Sequence, residues 1–106
     1  MFPHAIANTG SSLGDHCIVN VGATISHDTN VGRYVNINPG AHLAGNVSVG
    51  EGSYIGMGAK VIQGRSIGKW TVVGAGAVVT TDLPANVTAV GVPAKVIKTR
   101  EEGWHE

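Results

Sequence analysis

Aromatic and charged side chains are both scarce in this sequence. The 106 residues include two Trp, two Tyr and one Phe, and 13% of them are charged. A core must therefore be built from small and aliphatic side chains. Seven Lys and Arg balance seven Asp and Glu, so the chain lacks the excess positive charge that typifies proteins binding nucleic acid or anionic membranes. We expect neither partner.

Cysteine and long apolar runs are also nearly absent. The single Cys17 excludes an internal disulfide and a metal cluster built on cysteines. No segment approaches the roughly 18 apolar residues of a membrane-spanning helix, and the first residues lack a signal-peptide pattern. These features predict a cytoplasmic protein.

A six-residue repeat of aliphatic side chains runs through most of the chain. It begins at Leu13 and continues to Val79 without an insertion. Its members are Leu13, Val19, Ile25, Val31, Ile37, Leu43, Val49, Ile55, Val61, Ile67, Val73 and Val79. Glycine follows the aliphatic residue in half of these units, which predicts a tight corner at that glycine.

A six-residue unit is too short for a helix and suits one short strand followed by a turn. If three units close one coil, each coil has 18 residues and stacks about 4.8 Å from the next. The sequence thus predicts an all-β parallel β-helix of about four to five coils. We divide it into an imperfect lead-in coil (1–12), the repeat region (13–84), and a capping segment with tail (85–106). The period does not fix the handedness of winding.

The aliphatic-glycine units, the run at 73–79 and the segment at 91–98 are similar to bacterial hexapeptide-repeat acyltransferases. Within that family, residues 21–28 and 43–47 resemble the sialic acid O-acetyltransferase (NeuD-like) group, which includes bacillosamine-type sugar N-acetyltransferases. The resemblance implies a left-handed β-helix, a homotrimer, acetyl-CoA as acyl donor, and a sugar or nucleotide sugar as acceptor. Members usually carry an additional N-terminal sugar-binding domain, so the chain resembles their C-terminal domain.

His27 and Asp28 are the predicted catalytic pair. Acetyl transfer from a thioester by direct attack needs a base for the acceptor proton, and imidazole titrates near neutral pH. An adjacent carboxylate can orient the ring, and the resemblance implies these roles for this pair. The alternative interpretation is that His27 and Asp28 are only polar residues in a turn of the repeat, without a catalytic role.

Five further residues are predicted to bind the cofactor. One coil separates Gly45 from His27, so the Gly45 N–H is expected to face the acyl carbonyl, as the resemblance also implies. Met57 and Ala75 are likewise one coil apart and are expected along the cofactor. Lys95 is expected to pair with a coenzyme A phosphate, and a solvated lysine near the end of the chain is the alternative interpretation. Asn36 stands where the resembled family commonly has a second histidine.

Half a coil separates 27 from 36, which predicts a site between protomers. A metal site is not expected, because the histidines at 4, 16, 42 and 105 do not share a column of the 18-residue repeat. A non-catalytic trimeric scaffold or binding module derived from such an enzyme is the alternative function. The acceptor, the acylated atom (nitrogen or oxygen) and the acyl chain length stay open.

Overall fold

A computed structural model of the protein describes the backbone of residues 6–7 and all of residues 10–104. The described residues contain strands and turns and no helix that could cross a membrane. The strands are β1 (Ile6–Ala7), β2 (Ser12–Leu13), β3 (Ile18–Val19), β4 (Thr24–Ile25), β5 (Asn30–Val31), β6 (Asn36–Ile37), β7 (His42–Leu43), β8 (Ser48–Val49), β9 (Tyr54–Ile55), β10 (Lys60–Val61), β11 (Ser66–Ile67), β12 (Val72–Val73), β13 (Val78–Val79), β14 (Val87–Val90) and β15 (Lys95–Thr99).

From β1 to β13, strands three positions apart along the chain pair in parallel, so the strands form the three faces of a prism. The first sheet has the order β1-β4-β7-β10-β13, the second β2-β5-β8-β11, and the third β3-β6-β9-β12-β14-β15. Thr24 pairs with His42, which is a step of 18 residues, and the same step recurs on all three faces. The predicted parallel β-helix is confirmed, whereas left-handed winding and trimer formation stay predictions.

Three columns of turns form the edges of this prism. The first edge follows the first sheet and contains residues 26–29, 44–47 and 62–65. The second edge follows the second sheet and contains 14–17, 32–35, 50–53 and 68–71. The third edge follows the third sheet and contains 20–23, 38–41, 56–59 and 74–77. In a triangular prism the first edge lies opposite the third sheet.

The predicted aliphatic series forms the core. Its members from Val19 to Val79 are buried, and Leu13, in the first described coils, is 37% exposed. A second buried series, four residues later in each unit, consists mainly of Ala, Val, Ser and Thr. Arg65 interrupts this second series and is half-buried, with its Nε 3.8 Å from Asp82 Oδ1. Aliphatic side chains on short strands and small side chains in the turns therefore together form a core that excludes water.

The glycine that follows the aliphatic residue does not make the tight corner that the sequence predicts. Left-handed backbone occurs two residues later, at Gly22 and Gly40 for example, and also at non-glycine residues. The earlier glycine is required by the neighbouring coil, because a Cβ on Gly32 would lie 2.8 Å from the Glu51 backbone nitrogen. Close approach of two backbones thus explains that glycine.

The strict repeat ends at β13. Val73 pairs with Ala89, a step of 16 residues, and Ile67 pairs with Leu83 at the same shortened step. The last coil is therefore two residues shorter than the others. After it, β15 folds back antiparallel on β14 and ends the third sheet.

Candidate active site at the first edge

His27 and Asp28 lie in the turn that follows β4, at the first edge of the prism. The side chains are 59% and 63% exposed, and His27 Nδ1 is 3.4 Å from Asp28 Oδ2. Asp28 occupies left-handed backbone with a φ of 57°, a conformation that Asp adopts more readily than most residues. The turn therefore presents an imidazole and a carboxylate side by side to solvent.

Gly45 lies one coil further along the same edge, against the His27 ring. A Cβ on Gly45 would lie 2.6 Å from both Cε1 and Nε2 of His27. The Asn46 N–H donates to the His27 carbonyl oxygen at 3.0 Å, which holds the two turns in register. The Gly45 N–H has no acceptor among the described residues. The structure thus brings His27, Asp28 and Gly45 together.

The other predicted residues lie on the third sheet or the third edge of the prism. Met57 and Ala75 are exposed on the third edge, and the Gly76 N–H donates to the Met57 carbonyl at 2.8 Å, so the two turns stack as the repeat predicts. Asn36 starts β6 on the third sheet and accepts a hydrogen bond from Asn20 Nδ2 at 3.1 Å. One prism therefore cannot place these residues in a pocket with His27.

Lys95 also belongs to the third sheet. It is exposed at the start of β15, where it pairs with Val90. Within one chain it is therefore also remote from the first edge.

The described residues contain no group of three His, Cys, Asp or Glu side chains arranged to hold a metal ion. His16 stacks on Tyr34 with ring centroids 5.2 Å apart, and His42 hydrogen-bonds to Thr24. His4 and His105 lie outside the described residues.

The sequence analysis did not single out Ser11, which lies beneath the His27 turn. Its hydroxyl donates to the Ser26 carbonyl oxygen at 2.6 Å. The signal was weak, because Ser11 precedes the strict repeat and its partner is a backbone group.

Comparison with known proteins shows the family of this chain. A model described as bacterial transferase hexapeptide (six repeats) matches residues 28–63 and 46–81, together about half of the chain. The chain belongs to the bacterial hexapeptide transferase family. A search of curated proteins found no match.

Three solved structures illustrate the similarity. Perosamine N-acetyltransferase from Caulobacter crescentus, as a histidine mutant in complex with CoA and GDP-perosamine, is 41% identical, with a TM-score of 0.85 over 92% of this chain and 52% of that one. The acetyltransferase domain of PglB from Neisseria gonorrhoeae, with acetyl coenzyme A, is 35% identical, with a TM-score of 0.80 over 90% and 55%. WeeI from Acinetobacter baumannii is 30% identical, with a TM-score of 0.79 over 90% and 56%. The chain thus spans about half the length of these structures.

Proposed function

We propose that this protein is an acetyl-CoA-dependent acyltransferase that transfers acetyl to an amine or hydroxyl of a sugar or nucleotide sugar. The observation that carries the proposal is the contact of the exposed His27 imidazole with Gly45, next to Asp28 on the first edge. The solved structures that contain CoA, acetyl coenzyme A or GDP-perosamine supply the substrate classes.

His27 acts as the general base. Asp28 accepts a hydrogen bond from Nδ1, so Nε2 keeps its lone pair and takes a proton from the acceptor amine or hydroxyl. The acceptor nitrogen or oxygen then attacks the thioester carbonyl carbon. The C–S bond breaks as the tetrahedral intermediate collapses, and the departing CoA sulfur takes the proton from His27. The reaction needs no covalent enzyme intermediate.

Gly45 stabilises the oxygen that becomes negative during this attack. Its N–H has no acceptor within the described part of the chain, so it can donate to the developing oxyanion beside the imidazole. A backbone donor held ready for an oxyanion contributes typically 10²- to 10³-fold to the rate. The lack of a side chain at Gly45 also leaves space for the His27 ring.

The acetyl-CoA site is completed by a second protomer. The predicted cofactor residues Asn36, Met57, Ala75 and Lys95 lie on the third sheet or the third edge, away from His27. Packing the first edge of one prism beside the third edge of its neighbour unites the two sets. A homotrimer repeats this contact three times, with one site at each boundary.

Calorimetric titration with acetyl-CoA tests the donor site. The wild type should bind with a dissociation constant in the micromolar range, and Gly45→Trp should abolish binding. Asp15→Trp is the matched control, since it puts the same bulk at the same phase of the repeat on the second edge. Wild-type protein that binds no acetyl-CoA at millimolar concentration would contradict the proposal and favour a non-catalytic scaffold.

A further inference from the structure

Three hydroxyl groups close turns in this β-helix in the same way. Thr29 Oγ1 donates to the Ala44 carbonyl at 2.9 Å and accepts from the Val47 N–H at 3.3 Å. In each case the hydroxyl of one coil bridges the first carbonyl and the fourth N–H of a turn in the next coil. The second example is Ser53, which bridges Gly68 and Thr71 at 2.8 and 3.1 Å.

Ser11 makes the third bridge, beneath the turn that carries the candidate catalytic pair. Its Oγ donates to the Ser26 carbonyl at 2.6 Å and accepts from the Thr29 N–H at 3.4 Å. Ser26 and Thr29 are the two ends of the turn that displays His27 and Asp28. The hydroxyl of Ser11 therefore joins both ends of this turn.

Turns on the third edge are closed differently. There the Ala23 N–H donates directly to the Asn20 carbonyl, and the Ala41 N–H to the Asn38 carbonyl, each at 3.1 Å. In the 26–29 turn the described backbone has no such direct bond, and the Ser11 hydroxyl bridges the two groups instead.

We propose that Ser11 is a positioning residue, whose hydroxyl sets the width of the 26–29 turn and thereby places the His27 imidazole against Gly45. This inference rests on the proposed function, in which His27 is the base. Thr29 is fully buried, so its N–H cannot hydrogen-bond to water when the hydroxyl is removed. The N–H must then stay unpaired or close directly on Ser26, and direct closure narrows the turn and moves the ring.

Alanine at position 11 tests the proposal, with steady-state kinetics and amide hydrogen exchange as readouts. We expect Ser11→Ala to lower kcat by about 10- to 50-fold, the range expected for a ring displaced by less than about 1 Å. The KM for acetyl-CoA should stay within about twofold, because Ser11 does not touch the cofactor residues. Exchange of the Thr29 amide should accelerate at least about tenfold, since its acceptor is lost.

Ser53→Ala is the matched control, because Ser53 makes the same bridge on the second edge, away from His27. It should lower the melting temperature by an amount similar to Ser11→Ala and accelerate exchange at Thr71, while kcat stays within about twofold of the wild type. Equal losses of kcat in the two variants would show that only global stability had changed, and would overturn the positioning role.

Two further substitutions keep the test decisive if Ser11→Ala folds poorly. Ser11→Thr should restore kcat to within about threefold, because a threonine already forms this bridge at position 29 of the same column. Ser11→Cys, with a weaker donor and acceptor, should give an intermediate kcat. Activity that does not follow the order Thr, Cys, Ala would contradict the proposal.

The two proposals fail in different ways. A wild type that transfers no acetyl group refutes the proposed function. The effect of Ser11 on the position of the His27 turn can then still be measured, by amide exchange at Thr29 and by the NMR shifts of the His27 imidazole in Ser11→Ala. Shifts and exchange rates equal to those of the wild type would overturn the role of Ser11.

Discussion

Alanine in place of Gly45 perturbs the candidate site by one methyl group. Gly45 lies outside the left-handed region, and its counterpart one coil further along the same edge is Gln63. The backbone therefore accepts a side chain, and the cost falls on the His27 ring. To move from 2.6 Å to an ordinary contact of 3.4 Å from the new Cβ, the imidazole must retreat by about 0.8 Å.

This displacement should lower kcat far more than stability. A misplacement of about 1 Å costs on the order of 10²-fold in rate, so we expect Gly45→Ala to reduce kcat about 100-fold. The ring is more than half exposed and can retreat into solvent, so the free energy of unfolding should change by less than about 1 kcal/mol. Acetyl transfer and urea unfolding measure the two quantities.

A double substitution isolates the contact between the two residues. Once His27→Ala has removed the ring, adding Gly45→Ala should change kcat by less than about threefold, because the two effects are coupled rather than additive. A single Gly45→Ala variant with kcat within fivefold of the wild type would refute the reasoning. A hundredfold further loss in the double variant would show that Gly45 acts independently of His27.

Three other variants or reactions test separate parts of the structure. Ile37→Ala, at a fully buried position, should lower the free energy of unfolding by about 2–5 kcal/mol in urea titrations; a loss below about 1 kcal/mol would contradict a tightly packed core. Asp28→Asn should lower kcat about tenfold in acetyl-transfer assays, a modest effect since both side chains are exposed; unchanged activity would exclude Asp28 from the mechanism. Burial raises the pKa of the Cys17 thiol above its ordinary value of 9.0, so less thiolate is present at pH 8 than in a free cysteine, and alkylation by iodoacetamide should be slower than that of a cysteine peptide; faster alkylation would contradict the burial.

Much of the fold could be predicted from the sequence, because the aliphatic period recurs in every six-residue unit and three such units give the constant 18-residue step at which the strands pair. An aliphatic residue at each sixth position, such as Ile37 or Ile55, is buried when three sides close a coil. The meaning of the glycines could not be predicted in the same way. Gly32 is required by the approach of the next coil at Glu51, a contact between residues distant in sequence.

The irregular end of the repeat could not be predicted from the six-residue pattern either. The 18-residue step predicts that Val73 would meet position 91, but its partner is Ala89, because the last coil is two residues shorter. Only pairing between strands reveals a deletion that falls in a turn.

The candidate site was predictable to the extent that the repeat places it. The 18-residue step put Gly45 beside His27, and the structure has that contact. The same step stacks the Met57 turn on the Ala75 turn, but at a different edge of the prism from His27. Whether the two sides meet depends on a second protomer, whose placement is set by surfaces rather than by the period. The Ser11 bridge was missed since it acts through backbone groups.

Release of CoA from acetyl-CoA in the presence of a nucleotide-linked amino sugar, such as GDP-perosamine, tests the proposed function most directly. We predict acceptor-dependent release by the wild type, a reduction of at least about 10²-fold in His27→Ala, and wild-type rates in His16→Ala, which removes a histidine from the second edge. Equal rates in the wild type and His27→Ala would contradict the assignment of His27 as the base. An absence of release with every amino and hydroxyl sugar nucleotide tested would contradict the acyltransferase itself.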